Sequence, residues 1–281
     1  MSAILRILEA PYCGLNAVRR MLYRRGMLRA RRLPRPVISV GNIAAGGAGK
    51  TPAVIAICKY LEQRGFRLAV LTRGYGRGSK AVGIVSDNDA CKWGDEPVLI
   101  KRKTNATVLV GADRLANARD YLLHHDCDAF LLDDGFQHLQ LHRDLDIVID
   151  VESPSLRRET RAALEYADIV LERRIALVGI DALRGKRLFA FSGLADNQQF
   201  FESLRREGLT LTATLGFPDH HRYTIADLER IERAAKKLGA NAIVTTEKDR
   251  MKINREEIIA VESRFLMPTE VLARVEAAVR R

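Results

Sequence analysis

A glycine-rich segment carries the clearest chemical signal in the sequence. It reads Ala44-Ala45-Gly46-Gly47-Ala48-Gly49-Lys50-Thr51. Glycines allow successive backbone N–H groups to turn inward, and those donors, with the N-terminus of a following helix, can hold the β- and γ-phosphates of a nucleotide. In such a loop Lys50 would neutralise the γ-phosphate and the Thr51 hydroxyl would bind Mg²⁺. Ala44 stands where the usual pattern has its first glycine, but the predicted strand before the segment and helix after it favour a phosphate-binding loop.

Two acidic residues supply the partner that such a loop requires. Asp133 and Asp134 follow the apolar run Phe130–Leu132, which is typical of a buried strand in a parallel sheet. Ligands bind at the carboxyl ends of the strands in open α/β sheets, and either carboxylate could hold Mg²⁺ there. The sequence leaves open which of the two does so. Because no pattern in the chain is typical of guanine recognition, ATP is the predicted nucleotide.

Other polar residues are ambiguous from their types alone. Arg73 lies just after a predicted strand, at the same sheet edge as the phosphate-binding loop, and is a candidate for contact with phosphate or substrate. Asp95 lies at the start of a predicted helix, where an acid commonly does no more than stabilise the helix N-terminus. His138 and His142 have the i, i+4 spacing of helical metal ligands, but the segment between them lacks the glutamate of a zinc protease, so no metal site is predicted there.

The elements that must position these residues alternate between strands and helices. Strands are predicted at 37–40, 66–72, 82–86, 107–110, 129–133, 146–151, 188–191, 209–213, 242–245 and 258–261, and helices at 51–64, 95–102, 113–124, 224–238 and 269–280. This alternation predicts an α/β fold of the phosphate-loop NTPase type, with a mostly parallel sheet flanked by helices. We expect an N-terminal arm (1–36), a phosphate-loop core (37–175) and a smaller C-terminal α/β lobe (176–281). Residues 152–159 are predicted to form a surface loop.

The arm concentrates the positive charge of the chain. The 281 residues carry a net charge of +11, and residues 1–36 contain nine arginines and one acidic residue. Leu15, Val18 and Leu22 recur at helical spacing among the arginines, which predicts an amphipathic helix with a cationic face. Its apolar side could lie in an anionic membrane surface or pack on the protein's own core, and the pattern leaves both open. We expect no nucleic-acid partner, because the arm lacks interleaved aromatic residues.

The amino-acid composition excludes several classes of protein. Apolar residues make up 47% and charged residues 29% of the chain, which excludes an intrinsically disordered or collagen-like protein. No run of 18 apolar residues is present, so a spanning helix is not expected. Four scattered cysteines without a Cys-x-x-Cys pair argue against a disulfide framework or a zinc ribbon.

Six segments of the sequence, in this order along the chain, resemble the tetraacyldisaccharide 4′-kinase family of lipid A biosynthesis. They are SVGNIAAGGAGKTP (39–52), TRGYG (72–76), GDEPVLI (94–100), LLDDGFQH (131–138), FPDHH (217–221) and VTTEKDRMKI (244–253). The resemblance implies transfer of the γ-phosphoryl group of ATP, with Mg²⁺, to the 4′-hydroxyl of tetraacyldisaccharide 1-phosphate, giving lipid IVA. It also implies work as a peripheral protein, which we expect to be a monomer, at the cytoplasmic face of the bacterial inner membrane.

The same resemblance implies roles for individual residues. Asp95 looks like the family's catalytic carboxylate and His220 like the histidine that pairs with it, although the adjacent His221 leaves the choice of histidine open. Asp133 and Asp134 look like its Walker B acids. The predicted substrate-binding residues are Arg73, Tyr75, Gln137 and His138. The chain departs from the family in a shorter segment at 151–160.

A second interpretation belongs to another class of protein. The Gly-Gly-x-Gly-Lys-Thr pattern also resembles nucleotide-switch ATPases that act as regulated binding proteins. Their additional lysine would fall near Ala45, where this chain has none.

Overall fold

The protein forms two units, each built around its own sheet. The computed structural model describes residues 9–44, 48–74, 82–86, 89–151 and 156–281. Unit 1 takes residues up to Arg174 and the segment Phe265–Arg281, and unit 2 comprises Ile175–Arg264. None of the helices in the described ranges combines the length and the apolarity needed to cross a bilayer.

Unit 1 contains a seven-stranded sheet. Its strands are β1 (Val37–Gly41), β2 (Leu68–Thr72), β3 (Gly83–Ile84), β4 (Thr107–Val110), β5 (Ala129–Asp133), β6 (Leu145–Asp150) and β7 (Ile169–Glu172). Their order is β3-β4-β2-β5-β1-β6-β7, and all neighbouring pairs are parallel except β3 with β4. Strands β1, β2 and β5 are buried throughout, as apolar strands covered on both faces must be. The predicted mostly parallel α/β fold is therefore confirmed.

Within the described residues, five α-helices of unit 1 precede its last strand along the chain. They are α1 (Glu9–Arg24), α2 (Lys50–Glu62), α3 (Ala90–Trp93), α4 (Asp95–Lys103) and α5 (Arg114–His124). Helix α2 buries Val54, Ile57 and Leu61, which recur at helical spacing and form its apolar stripe. Helix α5 begins after Asp113, whose carboxylate accepts a hydrogen bond from the backbone N–H of Ala116 and so caps the helix.

The connections around β1 define where a ligand can bind. β1 lies between β5 and β6. The chain leaves β1 through the glycine-rich segment, forms α2 and then returns as β2 on the far side of β5, whereas the chain after β5 returns as β6 on the opposite side of β1. The carboxyl end of β1 is therefore a topological switch point, the usual position of the ligand crevice in such sheets.

Unit 2 contains a second, smaller sheet. Its strands are β8 (Ile175–Val178), β9 (Arg187–Ser192), β10 (Thr210–Gly216), β11 (Ala242–Thr246) and β12 (Ile258–Phe265), and its helices are α6 (Asn197–Arg206), α7 (Ile225–Lys237) and α8 (Glu247–Arg250). The order is β10-β9-β11-β12-β8. Phe189, Phe191, Leu228, Ile231 and Ile258 belong to one buried cluster, which fixes α7 on this sheet.

The last helix belongs to unit 1. Helix α9 (Thr269–Val279) buries Val271 and Val275 and packs against α2 and β1. The contacts of the chain thus divide it at Ile175 and again at Phe265, whereas the sequence pattern predicts that the whole of 176–281 lies in the smaller lobe. The physical reason is that the apolar face of α9 covers the first sheet, a pairing that no local pattern reveals.

Helix α1 forms where the arm was predicted to be helical, but it packs through an unexpected face. The predicted apolar stripe contains Leu15 and Val18, which are 65% and 51% exposed. The buried residues are Cys13, Asn16 and Arg20. Leu15 and Val18 of the predicted apolar stripe therefore do not belong to the buried face of α1, whereas Leu22 is half-buried. The predicted surface loop is wrong at its end, since Glu159 is buried; residues 152–155 lie outside the described residues.

Candidate active site

The described part of the glycine-rich segment has the form of a phosphate-binding loop. Ala44 and Ala48 are buried, and Gly49 has φ 81°, a left-handed conformation that favours glycine. Lys50 and Thr51 begin α2. Among the described residues no side chain caps this helix, so its first N–H groups remain available to a phosphate. The predicted nucleotide-binding residues Ala45, Gly46 and Gly47 lie outside the part of the chain that the structure describes.

Lys50 is held between an amide and a carboxylate. Its Nζ donates to Oδ1 of Asn42 at 3.4 Å and lies 3.4 Å from Oδ1 of Asp134. The lysine side chain is only 14% exposed. These contacts keep the ammonium at the carboxyl ends of β1 and β5, where it can neutralise a phosphate.

Asp133 is a buried carboxylate, and only one of its two oxygens accepts a hydrogen bond within the described residues. Oδ2 accepts a hydrogen bond from the Thr72 hydroxyl at 3.4 Å. Within the described residues Oδ1 has no hydrogen-bond partner. Burial, reinforced by the charges of Glu96 and Asp134, raises the pKa of Asp133 to about 7. A buried, unpartnered carboxylate oxygen is unfavourable by itself and suits a divalent cation, for which oxygen is the preferred ligand.

Asp134 has the opposite electrostatic environment. It adopts φ 55° and precedes Gly135, where a Cβ would lie 2.6 Å from both the Leu132 Cβ and the Ser39 Oγ. Arg158 Nη1 donates to its carboxylate at 2.7 Å. Burial tends to raise the pKa of Asp134, but Lys50 and Arg158 outweigh it and lower the pKa to about 2. The two neighbouring aspartates therefore differ, since only Asp133 keeps an oxygen that no cation of the described protein engages.

Asp95 lies buried at the start of α4. The turn that places it there requires Gly94, whose φ is 98°. The charge of the next residue, Glu96, contributes to the raised pKa of Asp133, which indicates that the beginning of α4 faces the carboxyl end of β5. The structure thus brings together Lys50 and Asp134, beside Asp133, whereas Asp95 lies buried at the start of α4 in the same unit.

The two adjacent histidines of unit 2 have different environments. His220 has φ 57°, and its Nε2 lies 3.3 Å from Lys248 Nζ. His221 Nε2 lies 3.1 Å from Oδ2 of Asp227, a carboxylate that also accepts from the Thr224 backbone and hydroxyl at the start of α7. His221 is therefore part of a helix cap. His220 belongs to unit 2 and Asp95 to unit 1, so their pairing stays a prediction.

Comparison with known proteins decides the family. The family model described as LpxK, tetraacyldisaccharide-1-P 4′-kinase, matches residues 1–160 and 151–280. The tetraacyldisaccharide 4′-kinases of Syntrophus aciditrophicus and Geobacter metallireducens are each 37% identical to this chain over 89% of its length and over 83% and 88% of their own. The chain belongs to the tetraacyldisaccharide 4′-kinase family. The predicted resemblance is therefore confirmed.

A solved structure supports the same family membership. The crystal structure of LpxK from Aquifex aeolicus, described as an "apo" form in complex with ATP, superimposes with a TM-score of 0.77 at 27% identity and covers 99% of both chains. The phosphate-loop kinase fold predicted from the sequence is thus confirmed. The curated relatives are kinases of a lipid disaccharide, which agrees with the predicted class of enzyme.

The predicted substrate-binding residues of this family member differ in their exposure and in their protein contacts. Arg73 follows β2 and is exposed, whereas Tyr75 lies outside the described residues. Gln137 Nε2 donates to the Asn42 backbone oxygen at 2.8 Å and to Glu159 Oε1 at 2.9 Å. His138 Nδ1 lies 3.1 Å from Arg114 Nη1. Burial, with the charge of Arg114, lowers the pKa of His138 to about 4, so its imidazole is neutral at pH 7 and Nδ1 can accept from the arginine.

Three residues of the site were missed by the sequence analysis. Asn42 and Arg158 contact Lys50 and Asp134 directly, and Arg114 Nη2 donates to the Asp134 backbone oxygen at 3.5 Å. Asn42 lies inside the matching segment 39–52, which could have indicated it. The two arginines are separated by more than forty positions along the chain, and only the fold brings both of them to Asp134.

Proposed function

We propose that this member of the family is an ATP-dependent kinase that transfers the γ-phosphoryl group of ATP to the 4′-hydroxyl of tetraacyldisaccharide 1-phosphate. The product would be lipid IVA, an intermediate of lipid A biosynthesis. One observation carries the proposal beyond family membership. The lysine of the phosphate-binding loop, Lys50, lies 3.4 Å from Asp134, beside the buried Asp133 with its unpartnered oxygen.

The residues present suit MgATP. Gly49, Lys50 and the first turn of α2 would hold the phosphates of ATP. Asp133 Oδ1 and the Thr51 hydroxyl would hold Mg²⁺, with Asp134 kept ionised by Lys50 and Arg158. Bound Mg²⁺ supplies neutralisation of charge on the phosphate oxygens. Lys50 would neutralise further charge as the phosphoryl group leaves ADP, and positioning and charge neutralisation should dominate the rate acceleration.

Asp95 is the proposed catalytic carboxylate. Accepting the proton of the 4′-hydroxyl would contribute about 10²- to 10⁴-fold to the rate. We propose His220 as its partner histidine, the position that the family motif indicates. If the two residues act as a unit, the Asp95→Ala and His220→Ala effects on turnover should be strongly non-additive. Additive effects would separate His220 from the role of Asp95.

Arg73 is the proposed contact for a phosphate or for the sugar. It is exposed at the carboxyl end of β2, the same edge of the sheet as Asp133. Tyr75, Gln137 and His138 remain predicted substrate contacts. Of these, Gln137 and His138 already have protein partners, so a substrate would have to replace or share those hydrogen bonds.

The exposed side of α1 supports attachment to an anionic membrane. Tyr12, Leu15, Val18 and Met21 are all exposed, and Leu15 and Val18 lie on one side of the helix with arginines beside them. Apolar side chains at the acyl boundary and arginines at lipid phosphates are the two attractive contributions for an interfacial helix. We therefore propose that the protein works as a peripheral monomer at the cytoplasmic face of the bacterial inner membrane. Leu15→Ser combined with Val18→Ser should weaken sedimentation with anionic vesicles, and unchanged sedimentation would contradict this.

The transfer assay tests the function itself. Purified protein in detergent micelles is given γ-labelled ATP, Mg²⁺ and a panel of lipid disaccharide acceptors. We expect label in the lipid fraction with tetraacyldisaccharide 1-phosphate. ATP hydrolysis that needs no lipid acceptor and responds to a protein partner would instead favour the nucleotide-switch interpretation. Asp95→Ala should lower turnover while MgATP still binds, and unchanged turnover would remove Asp95 from the chemistry.

A further inference from the structure

We propose that helix α1 positions the phosphate-binding loop through its buried polar face, so that this helix determines nucleotide affinity even when no membrane or lipid is present. The inference rests on the nucleotide site of the proposed function. It assigns α1 a second role that is separate from its exposed apolar side.

The buried face of α1 is polar and contacts three consecutive residues of one segment. Cys13 Sγ donates to the Arg157 backbone oxygen at 3.7 Å, and Asn16 Nδ2 donates to the Arg158 backbone oxygen at 2.9 Å. The next turn of this face carries Arg20, which binds the side chain of Glu159. Residues three and four apart lie on one side of a helix, so this side matches 157–159 residue by residue.

The contact between Arg20 and Glu159 is the strongest of the three. The side chains are 6% and 3% exposed, and two guanidinium nitrogens donate to the two carboxylate oxygens, both at 2.8 Å. The guanidinium also donates to the Phe136 backbone oxygen at 3.2 Å and lies 4.1 Å from the centre of the Phe136 ring. Bidentate, charge-assisted pairs of this kind fix orientation as well as distance.

The same segment is hydrogen-bonded to the start of the phosphate-binding loop. The backbone N–H groups of Arg158 and Glu159 both donate to the Ile43 oxygen, at 2.7 and 3.1 Å. Ala44 and Arg157 form an antiparallel β-bridge. The place where the chain enters the loop is therefore attached to the residues that α1 contacts.

A second path runs through side chains to the loop lysine. Glu159 Oε1 accepts from Gln137 Nε2 at 2.9 Å, and the same amide donates to the Asn42 backbone oxygen at 2.8 Å. The side chain of Asn42 accepts from Lys50. Arg20 is thus connected to the ammonium that faces the nucleotide phosphates through three intervening residues.

Through these two paths α1 can change the affinity for the nucleotide. Phosphate affinity depends on N–H groups and an ammonium that are already in place, because a loop that must be ordered on binding loses affinity. Coupling between distinct sites in proteins typically changes affinity by about 5- to 150-fold. Arg20 is therefore assigned as a positioning residue for the nucleotide site, not a catalytic residue.

The test measures MgADP binding to the full chain by calorimetry, without lipid acceptor and without vesicles. The variant is the double substitution Arg20→Met with Glu159→Gln, which removes both charges together and leaves no unpaired buried ion to unfold the protein. We expect the Kd for MgADP to rise about tenfold, within the range usual for coupled sites. An unchanged Kd in this variant would overturn the proposal.

The control variant lies on the other side of the same helix. Val18→Ser removes an exposed apolar group and should leave the Kd for MgADP unchanged, although it weakens sedimentation with anionic vesicles. An equal rise of the Kd in Val18→Ser would show that any damage to α1 has this effect, and it would overturn the assignment to Arg20. A structural role alone would lower the melting temperature of the double variant without changing the Kd.

The outcome separates this inference from the proposed function. If the wild-type protein binds MgADP but transfers no phosphate to lipid, the kinase proposal fails while the Kd comparison still decides the role of Arg20. If transfer occurs and the Kd is unchanged in the double variant, only the role of Arg20 is rejected.

Discussion

Helices α1 and α7 are both amphipathic, yet they bury opposite kinds of side chain. Helix α7 of unit 2 buries Leu228, Ile231 and Ala235 and exposes its charged residues. Helix α1 of unit 1 buries Cys13, Asn16 and Arg20. The difference shows that an apolar stripe indicates which side of a helix can be buried, but it does not indicate which surface covers that side. The stripe of α7 meets its own core, whereas the stripe of α1 remains available to another surface.

The partner surface explains the difference. α7 covers an aromatic cluster that includes Phe191 and Phe217, which requires apolar neighbours. The surface beneath α1 presents three backbone oxygens, those of Phe136, Arg157 and Arg158, and the Glu159 carboxylate. Burying hydrogen-bond acceptors without donors is energetically unfavourable. This surface therefore packs against the polar side of α1, which supplies the donors.

The largest expected effect comes from breaking the ion pair under α1. Arg20→Ala leaves the Glu159 carboxylate buried without its cation, and removal of one partner of a buried pair typically costs about 3–5 kcal/mol. Arg24→Ala is the matched control, because Arg24 is exposed over the Tyr166 ring, a contact worth about 0.5–1 kcal/mol. Urea unfolding followed by circular dichroism measures both. Equal small losses would mean that the polar face of α1 does not hold the helix.

A core substitution in α7 should have the next largest effect. Ile231 is fully buried, and Ile231→Ala should lower the free energy of unfolding of unit 2 by about 2–5 kcal/mol. Leu15→Ala in α1 should change stability by no more than about 0.5 kcal/mol in the absence of membrane, as exposed positions do. A large loss in Leu15→Ala, by the same unfolding measurement, would show that the apolar side of α1 is covered in the free protein.

The smallest expected effect concerns the cap of α7. Hydrogen bonds from the Thr224 backbone and hydroxyl, and then from His221, lower the pKa of Asp227 to about 2, below the ordinary value of 3.8. A carboxyl whose pKa is lowered by folding contributes stability above its ordinary pKa, and that contribution is lost as the pH falls through the window from about 4 to about 2. The stability difference between wild type and Asp227→Asn should therefore shrink between pH 5 and pH 2. A difference that is constant with pH would contradict this.

Local patterns were enough to predict much of the first sheet and its site. Asp133 ends β5 as expected, and Lys50 begins α2 beside it, because apolar strands and a glycine-rich turn before a helix are properties of consecutive residues. Strands β7 and β8 were not predicted. β7 alternates buried and exposed positions along only four residues, and β8 has no fully buried position, so neither carries a strong signal.

Features that depend on contacts between residues far apart in the chain could not be predicted from the sequence. The pairing of Arg20 with Glu159 joins positions 139 residues apart, and nothing local distinguishes this arginine from its neighbours in the arm. The unequal roles of Asp133 and Asp134 likewise arise from Lys50 and Arg158, which only the fold brings to one of the two carboxylates. Charge type could be read from the sequence, but charge pairing could not.

The central claim is that the ammonium at the start of α2 serves phosphoryl transfer to a lipid. The most direct measurement is the rate at which label moves from γ-labelled ATP to tetraacyldisaccharide 1-phosphate in detergent micelles, for wild type and for Lys50→Ala, with folding of the variant verified by circular dichroism. We predict labelled lipid with the wild type and no transfer above background with Lys50→Ala. Substantial residual transfer by the folded variant would contradict the account.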